Sequence, residues 1–334
     1  MDYPMNETEL EDGAEIVIRN WLELKRRERL LIVTDDTHLR EAQALRKRAI
    51  GRGSSVDIMV VEKHGIQVGV FFDQHENVFD EYQAVIGAAD YSLVTTRAAK
   101  RAIQRGSKFL SLPLSTNTEK SMLAYDFLKM DTKKSKLMAK IIMKYLENSS
   151  EIRVTTAAGT DLKFYKRHRQ PGFFNGVVKD GRGYSSASIE LYIPIEETMT
   201  SGTLILDGSY GYLGRVEQPF RILLKDGRMT EIEDSPSGKK LQEYLEQYHD
   251  ERMYIAAELG IGLNSYSKCR GECYIEDESA YGTFHIGFGR NLALGGTQEA
   301  SGHFDLVTHN PDIYADNRKL MERGKIILPE PAIY

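Results

Sequence analysis

The hydrophobic pattern changes texture near the middle of the chain. Through about residue 145, short apolar runs alternate with helical stretches. Residues 29–34, RLLIVT, end at Asp35 and Asp36, and an Ala/Arg-rich helical stretch follows from Leu39 to Gly51. A β-branched run then covers residues 56–61, and the alternation continues through 84–88, 92–96, the helical AAKRAIQRG and 108–112. Strands separated by helices of this length predict a mostly parallel sheet with covering helices. Residues 120–147 place Met122, Tyr125, Leu128, Leu137, Ile141, Ile142 and Tyr145 at helical spacing, which predicts a connector helix into a second domain.

From Ile152 onward, short β segments are punctuated by turn signals at Gly159, Gly181, Gly183, Asp207-Gly208 and Asp226-Gly227. One helix interrupts them. Ser235 suits an N-cap, Pro236 suits the first turn, and the periodic stretch runs to about His249. The expected organisation is an α/β domain with a mostly parallel sheet and connector helix at 1–148, then a strand-rich α+β metal-binding domain at 149–334.

Four segments of the second half alternate with period two, and a strand points successive side chains to opposite faces. In SIELYIP, Ile189, Leu191 and Ile193 share one face, and Glu190 lies on the other. In YIAAELGIG, Glu258 stands opposite the Leu259 face with Ala256, Gly260 and Gly262 for neighbours. In YGTFHIGFG, His285 shares its face with Tyr281, Thr283, Gly287 and Gly289; in GHFDL, His303 and Asp305 share theirs. Each segment packs one face and offers ionisable groups on the reverse, where small neighbours leave room for a metal, water or substrate. Three carboxylates and two imidazoles suit a divalent cation such as Zn, Mn or Co, and five ligands can support two ions bridged by a carboxylate. The commoner fate of a single strand Glu or His is a structural hydrogen bond or a solvated face.

Composition narrows the function classes. With 334 residues, 41% hydrophobic and 28% charged, the chain is ordinary for a soluble protein of about two domains. A formal net charge of −5 gives no reason to expect nucleic acid or an anionic membrane as partner. No apolar run is long enough to span a bilayer, and the acidic N-terminus lacks the order of a secretory signal, so a cytoplasmic location is expected. Cys269 and Cys273 allow one bridge at most, and their spacing does not suit a zinc knuckle. No phosphate-binding glycine motif follows the early strands. His38, His64, His75, His168, His249 and His309 have no comparable context and are read as surface or structural.

At the same segments the sequence resembles the aminopeptidase T and aminopeptidase S family of metallopeptidases. The matching elements are TTAAGTDLKF (155–164), SIELYIPIEETMTSGTLILDGS (188–209), AELGIGLN (257–264), YGTFHIGFGRN (281–291), and GHFD (302–305) followed by PDIYAD (311–316). The resemblance implies a hydrolase that cleaves an N-terminal peptide or small amide bond with metal-activated water. It implies two divalent ions (Zn, Co or Mn) held by Glu190, Glu258, His285, His303 and Asp305, with Glu258 taking part in catalysis, and a homodimer. Leu292 stands at the place of the family's catalytic tyrosine, and Ile189 precedes Glu190 where the family reads Gly-Glu. Tyr281, on the His285 face, is the candidate replacement, against the commoner outcome of a plain strand tyrosine. Glu196 or Glu197 is the candidate general base, with exposed turn charges as the alternative. The KRHR cluster at 166–169 is read as a solvated loop, or else a contact for a substrate carboxylate.

A second branch, the 2,5-dihydroxypyridine 5,6-dioxygenases, is also similar in compact size and in its HIGWG-like and DIY-like texture. It implies the alternative of ring cleavage at one Fe(II) held by two histidines and an aspartate. There a histidine takes the place of Glu258, and ligands matching Glu190 and His285 are absent. Retention of those residues ranks the hydrolase first. A repurposed member without peptidase activity is the third expectation.

Overall fold

The computed structural model describes residues 7–52, 54–62, 68–178 and 183–328, so the expected turn at Gly181 and the reading of His64 lie outside the described residues. Two compact units emerge: residues 1–132 with 174–188, and residues 133–173 with 189–334. The boundary expected at 148/149 therefore differs in two ways. The connector helix belongs to the second unit, and the chain returns to the first unit for residues 174–188.

The first unit is the expected α/β layer structure. Strand Arg29–Asp35 lies between Ser55–Val61 and Ala84–Ala88; Lys108–Ser111 follows, and all pairings are parallel. Leu30, Leu31, Ile32 and Val33 are all buried, as expected of a central parallel strand covered on both faces. Helices Leu39–Gly51 and Arg97–Gln104 provide crossovers. A fifth parallel strand, Tyr184–Ser186, pairs with Lys108–Ser111. Its three residues carry no hydrophobic run, which is why the pattern did not predict it.

Two other expectations change here. Residues 92–96 form turns rather than a strand, because Thr96 caps the next helix by accepting from the Ala99 amide. The single helix expected over 120–147 is broken into 3-10 turns at Met122–Ala124 and Asp126–Lys129 and a helix at Thr132–Leu146. The breaks fall at Tyr125 and Met130, whose extended backbone angles stop helix propagation.

The second unit is strand-rich and antiparallel. One eight-stranded sheet runs from Arg228–Ile232 to Lys325–Ile326. Helix Pro236–Glu246 begins as the sequence indicates, with the Ser235 hydroxyl accepting from the Gly238 amide at 3.1 Å. Another sheet places His303–His309, Thr283–Gly289, Ala256–Gly262 and Ile189–Pro194 side by side. Every residue of the three strands Thr283–Gly289, Ala256–Gly262 and Ile189–Pro194 is buried. The face expected to be open is thus covered. Helix Tyr274–Ser279, itself buried throughout, packs against all four strands. Among the described residues, no helix is long and apolar enough to cross a membrane.

Candidate metal centre

The registers explain how charged residues fit inside a buried sheet. Glu190 pairs with Gly262, His285 with Gly260, Asp305 with Gly287 and His303 with Gly289. Each ionisable side chain therefore has a glycine as its cross-strand neighbour, where an ordinary side chain would fill the space. A Cβ at Gly287 would lie 2.8 Å from His303 Cε1, 2.9 Å from Asp305 Oδ1 and 2.9 Å from Glu258 Cβ. A Cβ at Gly260 would overlap His285 Nε2 at 1.8 Å. A bulge between Ala256 and Glu258 shifts the register, so that Glu258 also faces Gly287.

The five residues singled out from the period-two pattern come together as two overlapping triads. Glu258, His303 and Asp305 form one, Glu190, Glu258 and His285 form the other, and donor atoms within each lie no more than 4.8 Å apart. His303 Nε2 is 3.2 Å from Glu258 Oε2 and 3.4 Å from Asp305 Oδ1. On the far side of the ring, His303 Nδ1 donates to the Arg290 carbonyl at 2.9 Å. That bond selects the tautomer whose Nε2 lone pair faces the carboxylates, the arrangement usual for a metal-binding imidazole. His285 Nε2 lies 2.7 Å from Glu190 Oε2.

Charges in the centre are paired with one another, and a bound cation would take the place of the protons on its imidazoles. Glu190, Glu258, His285 and Asp305 are each no more than 4% exposed, and buried charges persist only when paired or bound to metal. Burial raises the Glu258 carboxyl to about 7 against the pull of His303. For His285, burial opposes the charged form, but Glu190 and the other carboxylates carry it up to about 9. Burial likewise opposes charge on His303, and Asp305 and Glu258 raise it well above the usual range. Asp305 is pushed up by burial, yet His303 and His285 bring it down to about 2. Asp305 Oδ1 and His285 Nδ1 are buried and have no hydrogen-bond partner. Carboxylate and imidazole donors without sulfur fit a divalent ion such as Fe(II), Mn(II) or Zn(II), and orphaned Oδ1 is where such an ion would compensate.

Several other expectations change with the geometry. Tyr281 does not join the cluster; its hydroxyl accepts the Ile326 amide at 3.0 Å, outside the ligand groups. Glu196 and Glu197 are not free bases. Arg169 binds both, at 3.5 and 2.7 Å, and Glu197 also accepts from Asn291 and the Thr297 amide. The KRHR cluster is solvated only in part: Arg167 and His168 are exposed, whereas Lys166 is fully buried and donates to the carbonyls of Glu147, Arg167 and Arg169. Leu292 opens the short turn Leu292–Leu294, and Cys269 and Cys273 are both free thiols.

Two features had escaped the pattern. Helix Tyr274–Ser279 brings Tyr274, which donates to Asp305 Oδ2 at 2.5 Å, and Glu278, which burial and then Glu190 and Asp305 hold well above the usual carboxylate range. The cue for it was the acid-rich CYIEDES with few apolar positions, which reads as an exposed loop. In the first unit, His38 meets Asp90 at 2.7 Å, while Asp35 binds the Asp90 amide and Thr37. This second cluster is stitched together by its own hydrogen bonds at the ends of two parallel strands.

The NicX family, 2,5-dihydroxypyridine 5,6-dioxygenase, matches residues 93–328. A 2,5-dihydroxypyridine 5,6-dioxygenase of Pseudomonas putida KT2440 is 24% identical in a match covering 60% of this chain and 60% of that enzyme. The match thus spans less than two thirds of that relative's length. The solved structure of 2,5-dihydroxypyridine dioxygenase from Pseudomonas putida KT2440 covers 98% of this chain and 99% of its own, at a TM-score of 0.79 and 17% identity. AmpT from Thermus thermophilus covers 96% of this chain and 100% of its own, at 0.63 and 15%. At these identities the two structures establish the shared fold: an N-terminal parallel α/β region followed by antiparallel sheets.

Proposed function

The chain belongs to the 2,5-dihydroxypyridine 5,6-dioxygenase family, and on that premise we propose that it opens the ring of a small hydroxylated aromatic or N-heteroaromatic substrate with molecular oxygen. The ranking drawn from motif resemblance is thereby corrected. Aminopeptidase-type cleavage of a peptide or amide gives way to the dioxygenase alternative, because the family match spans residues 93–328 and the curated relative is a dioxygenase. The observation that carries the proposal is that this match encloses all five converging donors. Retention of Glu190, Glu258 and His285 does not outweigh that match.

One Fe(II) per chain would be held by Glu258, His303 and Asp305, and when bound would supply oxygen activation and Lewis acidity for the substrate hydroxyl. The surrounding residues do the rest. The Nδ1 bond of His303 to Arg290 keeps its Nε2 aimed at the carboxylates. Glu190 holds His285 in its cationic form beside them, where an imidazolium favours the deprotonated form of a substrate hydroxyl. Burial of the strands that carry Glu190, Glu258 and His285 limits access of bulk water, which strengthens these interactions.

The test is anaerobic loading with Fe(II), followed by admission of oxygen in the presence of dihydroxylated pyridines and benzenes. Expected are about one iron per chain, oxygen uptake matched to loss of the aromatic absorbance, and a loss of roughly 100-fold or more in His303→Ala. Iron-loaded protein that consumes no oxygen with any of these substrates would overturn the proposal.

A further inference from the structure

We infer that Tyr274 is a positioning residue for the metal centre: its hydroxyl occupies one oxygen of Asp305, so that only the other is presented to the cation. The inference rests on Asp305 being a ligand. The hydroxyl donates to Asp305 Oδ2 at 2.5 Å, while Oδ1 is buried with no hydrogen-bond partner and lies 3.4 Å from His303 Nε2. Leaving a buried carboxylate oxygen unbonded is costly, by about 1–3 kcal/mol or more. The two oxygens are therefore differentiated, one for the protein and one for something else. A carboxylate can bind a cation through one oxygen or through both. Capping Oδ2 enforces the one-oxygen mode and leaves a coordination position for another ligand.

The ring that carries this hydroxyl cannot swing away. Tyr212 packs on it with centroids 4.2 Å apart and planes inclined by 30°. Gly211, at φ +65, passes so close that a Cβ there would lie 3.0 Å from both Tyr274 Cδ2 and the Asp305 carbonyl oxygen. Glu278, one helical turn beyond Tyr274, is buried beside it on the same helix.

The experiment is titration of the full-length protein with Co(II) alone, read by competition with a chromophoric chelator and by the visible absorption of bound cobalt. Tyr274→Phe removes one oxygen and keeps the ring. Its Kd for Co(II) should rise about 10- to 100-fold, and its cobalt bands should weaken as Asp305 Oδ2 joins the metal and the coordination number rises. A purely structural tyrosine would alter the melting temperature without changing the spectrum. Tyr212→Leu, which loosens the ring but keeps the hydroxyl, should change the spectrum in the same direction and less, and it serves as the test should Tyr274→Phe fail to fold. Wild-type binding with a superimposable spectrum and a Kd within about twofold in the folded variant would sink the positioning role alone. Wild-type protein that takes up no Co(II) would sink the metal centre with it.

Discussion

At the scale of single residues, the glycines matter as much as the ligands. Gly287 and Gly260 carry no chemistry, yet each occupies the position from which a methyl group would collide with His303 and Asp305, or with His285. Gly287→Ala should therefore lower metal affinity by tenfold or more, with an overpacking cost of about 1–3 kcal/mol; metal content after dialysis and thermal melting measure the two separately. Glu258→Gln should be more severe, because Glu258 belongs to both triads. Replacing this shared carboxylate by an amide removes its charge with little change in shape, and metal analysis showing unchanged stoichiometry would take Glu258 out of the centre. These residues were legible before the fold was known because strand periodicity puts Glu258, Gly260 and Gly262 on one face whatever the partner strands are. Their convergence was not legible, since register depends on contacts between segments as distant as Glu190 and Gly262.

At the scale of elements, legibility followed hydrophobic periodicity. Helix Pro236–Glu246 announced itself through Ser235 and Pro236. Ser235→Ala should cost about 1 kcal/mol of stability, seen in denaturant titration, and leave metal binding intact. Helix Tyr274–Ser279 did not announce itself, because three of its six residues are acidic and all are buried by tertiary contacts that no local pattern encodes. The same holds for the clamp of Arg169 on Glu196 and Glu197, read in sequence as a candidate general base or else exposed turn charges. Burial pushes the Glu197 carboxyl up, but Arg169, Thr297 and Asn291 outweigh it and bring it from an ordinary 4.5 to about 2. Because the folded-state value is depressed, the unfolded chain binds the proton more readily. The clamp's contribution, on the order of 3 kcal/mol for the nearly buried pair, is present above about pH 4.5 and lost as pH falls toward 2. Urea midpoints at pH 3 and pH 5 should diverge in the wild type and converge in Glu197→Gln.

At the scale of the whole molecule, family membership separates chemistries that the local donors alone do not, and the motifs alone ranked them wrongly. Short elements such as H-x-D recur across chemistries because they encode ligand geometry, whereas the reaction depends on metal and substrate. A consequence for stability follows from the buried acids. Without a cation Glu258 is raised from 4.5 to about 7, and His285 to about 9. Groups whose folded-state values are raised stabilise the fold below their unfolded values and cease to do so as pH rises through the folded ones. Metal-free protein should therefore lose stability between about pH 5 and 9. A saturating divalent ion should flatten that slope and add about 2.7 kcal/mol at a hundredfold excess over Kd, which calorimetry of chelated and reloaded protein would show. The late strand Tyr184–Ser186 bears on how the molecule is made. The edge of Lys108–Ser111 that it covers emerges from the ribosome long before its partner. At roughly 5–20 residues per second, that edge stays bare for several seconds. A nascent chain stalled near residue 150 would present an unpaired strand edge ready to recruit neighbours, so slow translation between Ser111 and Tyr184 should favour aggregation, whereas chaperone capture in that interval should raise the yield of soluble protein.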